Sequence, residues 1–192
     1  RSRGLGDVYK RQIINSANDP MNATISGDGQ TFAFAFHGQT YEYVICYNAS
    51  DMKPFSWIES PQRENRSQFG HYMAFNYDGE YLLITGYQFK LYNSSIGSDM
   101  QFSQALTTET GGAFLYRRNY TTNRYELYKY NFFDDILDAL GSFGYNNSSY
   151  RVWSGDISDD APYIIIGGAY FAAYFQWNDN TNEYEIVKYF DY

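Results

Sequence analysis

Apolar and polar positions along this chain alternate in short runs broken by acidic or glycine turns. Residues 24–36 read TISGDGQTFAFAF, 73–86 read MAFNYDGEYLLITG, and 155–168 read GDISDDAPYIIIGG. Each predicts a short strand, a tight turn and a more apolar strand. Gly29 and Gly79 follow Asp28 and Asp78, where a hairpin turn calls for positive φ. The third turn has Asp160, Ala161 and Pro162 instead, so its geometry is expected to differ. A second hairpin follows in residues 112–130 and again in 172–189. In the last strand of the former, Tyr125, Leu127 and Lys129 face one way and Glu126, Tyr128 and Tyr130 the other. Aromatics on both faces predict a sheet packed between two neighbours. The run Tyr163–Gly168 is apolar throughout, which predicts a strand buried on both faces. Residues 131–144 carry the one helical pattern: Phe132, Phe133, Ile136, Leu137 and Leu140 share a face, and Gly141 stands at the C-terminal cap.

The pattern repeats. Residues 119–130 (NYTTNRYELYKY) return at 178–189 (NDNTNEYEIVKY), with Asn119/Asn178, Asn123/Asn182, Tyr125/Tyr184, Glu126/Glu185, Lys129/Lys188 and Tyr130/Tyr189 in register. A fixed period means one supersecondary unit used several times. Four short antiparallel strands every ~60 residues are one blade of a β-propeller. The expected fold is therefore all-β, an incomplete propeller of about three blades at roughly 21–60, 69–131 and 142–192, with a short helix in the last inter-blade link. Residues 1–12 contain DVYKRQ, which resembles a translated sequencing adapter, and are expected to lie outside the fold. Ile13 opens without Met, so residues 13–192 are expected to be a propeller fragment of a longer protein, aggregation-prone alone because its end blades would bare apolar faces.

Composition agrees with strands. Aromatics make up 21% of residues, with 22 Tyr and 15 Phe, against 19% charged. A formal net charge of -8 argues against nucleic acid as a partner. No run approaches the ~18 apolar residues that a membrane helix needs. The lone Cys46 excludes an internal disulfide and a cysteine zinc site, and in YEYVICYN it reads as a buried small hydrophobe.

Specific residues carry a family resemblance. Ser67-Gln68-Phe69-Gly70-His71-Tyr72-Met73-Ala74, then Asp78-Gly79, then Leu82-Leu83-Ile84-Thr85-Gly86, then Gly112-Ala113-Phe114, resembles one FG-GAP repeat. Ser142-Phe143-Gly144-Tyr145 with Ile164-Ile165-Ile166-Gly167-Gly168-Ala169 resembles a second, and the first unit shows only the latter half of the pattern. The resemblance covers residues 20–192. It implies the propeller of integrin alpha chains and related surface proteins, with partners held by loops on one face, here 37–41 and 87–111. Some such propellers hold calcium. The nearest approach here is Asp156, Ser158 and Asp160, but Ala161 and Ile164 stand where glycine and an acid are wanted, too few oxygens for a hard cation. No cofactor is expected.

Asn-x-Ser/Thr occurs at Asn22, Asn48, Asn65, Asn93, Asn119, Asn146 and Asn147. Composition alone gives roughly 2 such acceptor sites. The excess predicts a secreted or surface glycoprotein, although Asn and Ser also populate turns for their own reasons.

Catalytic patterns are thin. His37 falls in an expected hairpin loop and His71 at the start of a strand, and no metal-ligating, nucleophile-elbow or phosphate-loop motif occurs. Asp134, Asp135 and Asp138, like Asp159 and Asp160, read as solvated acids. Trp57, Trp153 and Trp177 read as packing groups, or alternatively as platforms for carbohydrate. The expected function is a non-catalytic extracellular binding or adhesion module for a protein or glycan. The alternatives are the propeller domain of an enzyme such as a hydrolase, and an intracellular WD-repeat-like scaffold, which lacks its Trp-Asp signature here.

Overall fold

The computed structural model describes residues 19–37, 42–61, 67–87, 90–92, 105–109, 111–130, 132 and 151–191. Strands β1 (Asp19–Ile25), β2 (Thr31–His37), β3 (Glu42–Asn48) and β4 (Pro54–Glu59) form one antiparallel sheet in chain order. In the next sheet β5 (Phe69–Phe75) and β6 (Tyr81–Gly86) are followed by an inserted hairpin, β7 (Lys90–Tyr92) with β8 (Ala105–Glu109). Strands β9 (Gly112–Asn119) and β10 (Arg124–Lys129) then complete the order β5-β6-β9-β10. The third sheet is β11 (Val152–Ile157), β12 (Tyr163–Gly168), β13 (Phe171–Asn178) and β14 (Glu183–Asp191). β1 packs on β5, and β5 on β11, so the three sheets radiate from a shared edge as consecutive blades. This is a partial β-propeller. Of the helix expected over 131–144, only Phe132 falls among the described residues. Its ring is fully buried, 5.1 Å from Phe175 and 5.7 Å from Tyr184.

The blades pack small faces against large ones. Ala33, Ala35, Val44 and Cys46 of the first blade receive Phe69, Phe75 and Phe114 of the second. Ala74 and Ala113, with Leu83 and Leu115, receive Phe171 and Phe175 of the third. The second blade is thus covered on both sides, which is why its strands carry apolar residues at odd and even positions alike. The third blade differs from the expectation. Ile164 and Ile166 are buried, but Tyr163 and Ile165 are 39% and 46% exposed. Among the described residues no further sheet packs on that face, so β12 is covered on one side only.

The turns joining the first two strands of each blade share one end of the molecule. Ser26, Asn76 and Ser158 occupy equivalent positions, and each takes the amide of the residue five places on: Thr31 at 3.0 Å, Tyr81 at 2.8 Å and Tyr163 at 3.1 Å. The turns also bond to one another. The Asp28 amide donates to the Tyr77 carbonyl at 2.8 Å, and the Tyr77 amide to the Asp159 carbonyl at 3.1 Å. A backbone chain therefore ties the three blades at this end.

Candidate functional site

Because β1, β5 and β11 run alike from the shared edge, their N-terminal ends meet the C-terminal ends of β2 and β6 at the other end of the blades. Five side chains collect there from separate parts of the sequence. His37 closes β2, and its Nε2 lies 2.9 Å from the Phe69 carbonyl oxygen. His37 is thus the last residue of a strand rather than part of a loop. His71, on β5, stacks at a tilt on Tyr87, 5.4 Å between ring centres. Arg151, at the entry to β11, donates from Nη1 to the Tyr87 hydroxyl at 2.8 Å and lies 5.0 Å from that ring's centre. Trp153 completes the group 6.3 Å from Tyr87 and is half exposed.

Local backbone geometry holds these groups. Asn22 of β1 donates from Nδ2 to the His71 carbonyl at 2.8 Å. Gly168 lets the chain close on Arg151: a Cβ there would lie 2.4 Å from the Arg151 carbonyl oxygen and 2.1 Å from the Phe171 ring, and the next amide, Ala169, donates to that same carbonyl at 2.9 Å. Upstream, buried Glu42 takes the amides of Gln68 and Phe69, each at 3.0 Å, and the Ser67 hydroxyl. That carboxylate fixes the entry to β5, where Gln68 and Gly70 both have positive φ.

The electrostatics favour a neutral imidazole. Burial, and secondly the nearness of His37, hold His71 below the ordinary histidine value. Its Nδ1 is buried and has no hydrogen-bond partner. A neutral imidazole beside a guanidinium and a phenol is able to accept a proton while Arg151 orients an electronegative atom.

The residues singled out from sequence fall elsewhere, His71, His37 and Trp153 excepted. Asp156 Oδ1 accepts the amide of Ile157 at 2.9 Å, and Ser158 serves its own turn. Among the described residues no cluster of three or more His, Cys, Asp or Glu is placed to hold a metal. Asn22, Asn48 and Asn119 are half-buried at strands and turns, while Asn65, Asn93, Asn146 and Asn147 lie outside the described residues, as do Asp134, Asp135 and Asp138. Trp57 stacks on Tyr43 at 4.2 Å, and Trp177 packs on Tyr184 at 5.1 Å. Cys46 is fully buried. Tyr87 and Arg151 were not legible as site residues. The signal available was positional: each borders a strand that ends beside the shared edge.

No protein-family model and no curated protein matches the sequence. Solved structures do match in fold. Hydrazine synthase from Kuenenia stuttgartiensis aligns with a TM-score of 0.55 at 12% identity, over 90% of this chain and 49% of that one. A putative 6-phosphogluconolactonase from Bacteroides uniformis aligns with a TM-score of 0.50 at 12% identity, over 91% of this chain and 40% of that one. The chain therefore spans less than half of each of these two structures. These likenesses correct the expectation of a non-catalytic module. Both proteins are named as enzymes, so a sheet arrangement of this form gives no ground for excluding catalysis. The physical reason is that propeller sites are assembled from strand ends of different blades, which leaves no contiguous motif for the sequence to display.

Proposed function

We propose that this chain is part of the propeller domain of an enzyme of hydrolase type, taking its substrate where the inner strands β1, β5 and β11 begin. The observation that carries this reading is the gathering of His71, Tyr87 and Arg151 from two blades, with Tyr87 stacked on His71 and bonded to Arg151 at 2.8 Å. His71 would accept the proton of an attacking water or hydroxyl, and Arg151 would bind the oxygen that gains charge. The shared fold with a putative 6-phosphogluconolactonase supports the class, and the FG-GAP resemblance adds the repeat pattern of Phe69-Gly70 and Phe143-Gly144. The sequons support passage through the secretory route, which a mobility shift on treatment with an N-glycosidase would register.

Hydrolysis of aldonolactones and chromogenic esters by the purified chain tests the proposal. Saturable turnover that drops by about 100-fold or more in His71→Ala, the scale of a lost general base, is the expected result. Turnover absent from every substrate, or unchanged in His71→Ala and Arg151→Ala, overturns it.

A further inference from the structure

At the opposite end of the second blade lies a cavity of about 300 Å³. Its walls include Glu80, Arg117, Arg118, Tyr120, Glu126 and Tyr128. Two guanidiniums meet two carboxylates, so the lining is neutral overall. Both cations lie over rings. Arg117 lies 5.5 Å from the Tyr81 ring centre and 5.7 Å from that of Tyr128, and Arg118 lies 4.2 Å from Phe55 and 5.3 Å from Tyr120. Arg117 donates from Nε to Glu80 Oε1 at 2.7 Å.

This arrangement leaves hydrogen-bonding capacity of both kinds. The terminal nitrogens of Arg117 and the Oε2 atoms of Glu80 and Glu126 are not engaged by these contacts. Among the described residues Glu126 accepts through Oε1, from Asn119 at 2.9 Å and Thr122 at 3.2 Å. The Arg118 Nε is buried without a partner. Meanwhile Tyr120 is 62% exposed and Tyr128 38%. A ligand matched to these walls is uncharged, both donates and accepts, and offers C–H faces to aromatic rings.

We propose that this cavity binds one sugar ring of a neutral glycan. A pyranose meets all three conditions: its hydroxyls donate and accept, its axial C–H groups stack on rings, and it carries no charge for the balanced lining to repel. The volume stands at the lower end of small-ligand sites, which suits a single ring. The proposal does not depend on the axial site, which lies at the other end of the blades.

The test uses the full chain made without glycosylation, so that Asn119, which also lines the cavity, is bare. Glucose, galactose, mannose, N-acetylglucosamine and their short oligomers are titrated by calorimetry, with inorganic phosphate as the anionic comparison. The expected result is saturable binding of at least one sugar, weakened about tenfold or more by Tyr120→Ala, as for an aromatic hot spot. Tyr128→Ala is the second variant, and an unchanged thermal melt shows that either one folds. Binding of phosphate alone, binding of no sugar at millimolar concentration, or sugar binding indifferent to both variants overturns the proposal.

Discussion

The Tyr184 hydroxyl donates to the Ala161 carbonyl, and Tyr125 makes the same bond to Gly79 one blade earlier. Each tyrosine is the second residue of the fourth strand of its blade and pins the turn between the first two. Both rings are buried, and burial raises both phenols well above the ordinary tyrosine value. The repeat of Tyr125 at Tyr184 is thus a structural device, and so are the repeated turns beside it. Asn123 and Asn182 take positive φ, while Thr122 and Thr181 donate to Glu126 and Glu185 at 3.2 and 2.8 Å.

Removing one pin leaves a buried carbonyl unpaired. Tyr184→Phe is expected to cost about 1–3 kcal/mol, and Tyr125→Phe the same. Urea unfolding reads this as a lower midpoint at unchanged slope. Tyr170→Phe, at a residue 62% exposed, should stay within about 0.5 kcal/mol of wild type.

Gly70 carries a second load at the boundary of the first two blades. Its φ is 88°, and a Cβ would meet the Ala35 Cβ at 2.4 Å. Gly70→Ala should therefore lose about 1–2 kcal/mol to backbone conformation and about 1–3 kcal/mol more to overpacking. The double variant Gly70→Ala with Ala35→Gly relieves the contact but not the backbone. Guanidinium unfolding of the pair should recover part of the loss. Full recovery would show that the positive φ is without cost, and no recovery that the contact is.

The blades were legible because their signals are local. An Asp-Gly pair names a turn, and alternation names the strand on either side, so the hairpins 24–36 and 73–86 could be read without neighbours. Burial on both faces of Tyr163–Gly168 could not, because Ile165 is apolar whether or not another sheet covers it. The axial group failed for a related reason. His71, Tyr87 and Arg151 are separated by 16 and 64 residues, and only the radial packing of β5 against β11 makes them neighbours. Asn119 reads equally well as a sequon and as a turn former, and its Oδ1 indeed takes the Thr121 amide at 2.9 Å.

The state of His71 sets a pH dependence. Its native value lies below the ordinary one, so the unfolded chain, at about 6.5, binds this proton more readily. Acid then draws the equilibrium toward unfolding. The contribution is complete above about pH 6.5 and is lost as pH falls through that value toward the native one. In a proton-detected NMR titration the His71 ring should titrate below 6.5. Melting temperatures at pH 8 and pH 5.5 should differ less in His71→Gln than in wild type, while a ring that titrates above the ordinary value would sink the neutral-imidazole reading.

Arg118 supplies a test of how adjacent blades are joined. Its Nη2 donates to Asn48 of the first blade at 3.3 Å and to Asn123 of its own at 2.8 Å, and Nη1 reaches Thr31 at 3.4 Å. The guanidinium plane also covers the Phe55 ring. A lysine at this position keeps the charge but has neither the fork nor the flat face. Arg118→Lys should therefore behave more like Arg118→Met than like wild type. Each should lose about 1–3 kcal/mol, the scale of hydrogen bonds to a charged group. Charge alone would predict that lysine restores stability, so a lysine variant as stable as wild type in urea would refute the geometric account. The Phe55→Leu background separates the two contributions. If stacking dominates, the cost of Arg118→Lys shrinks there, and if the fork dominates it stays the same.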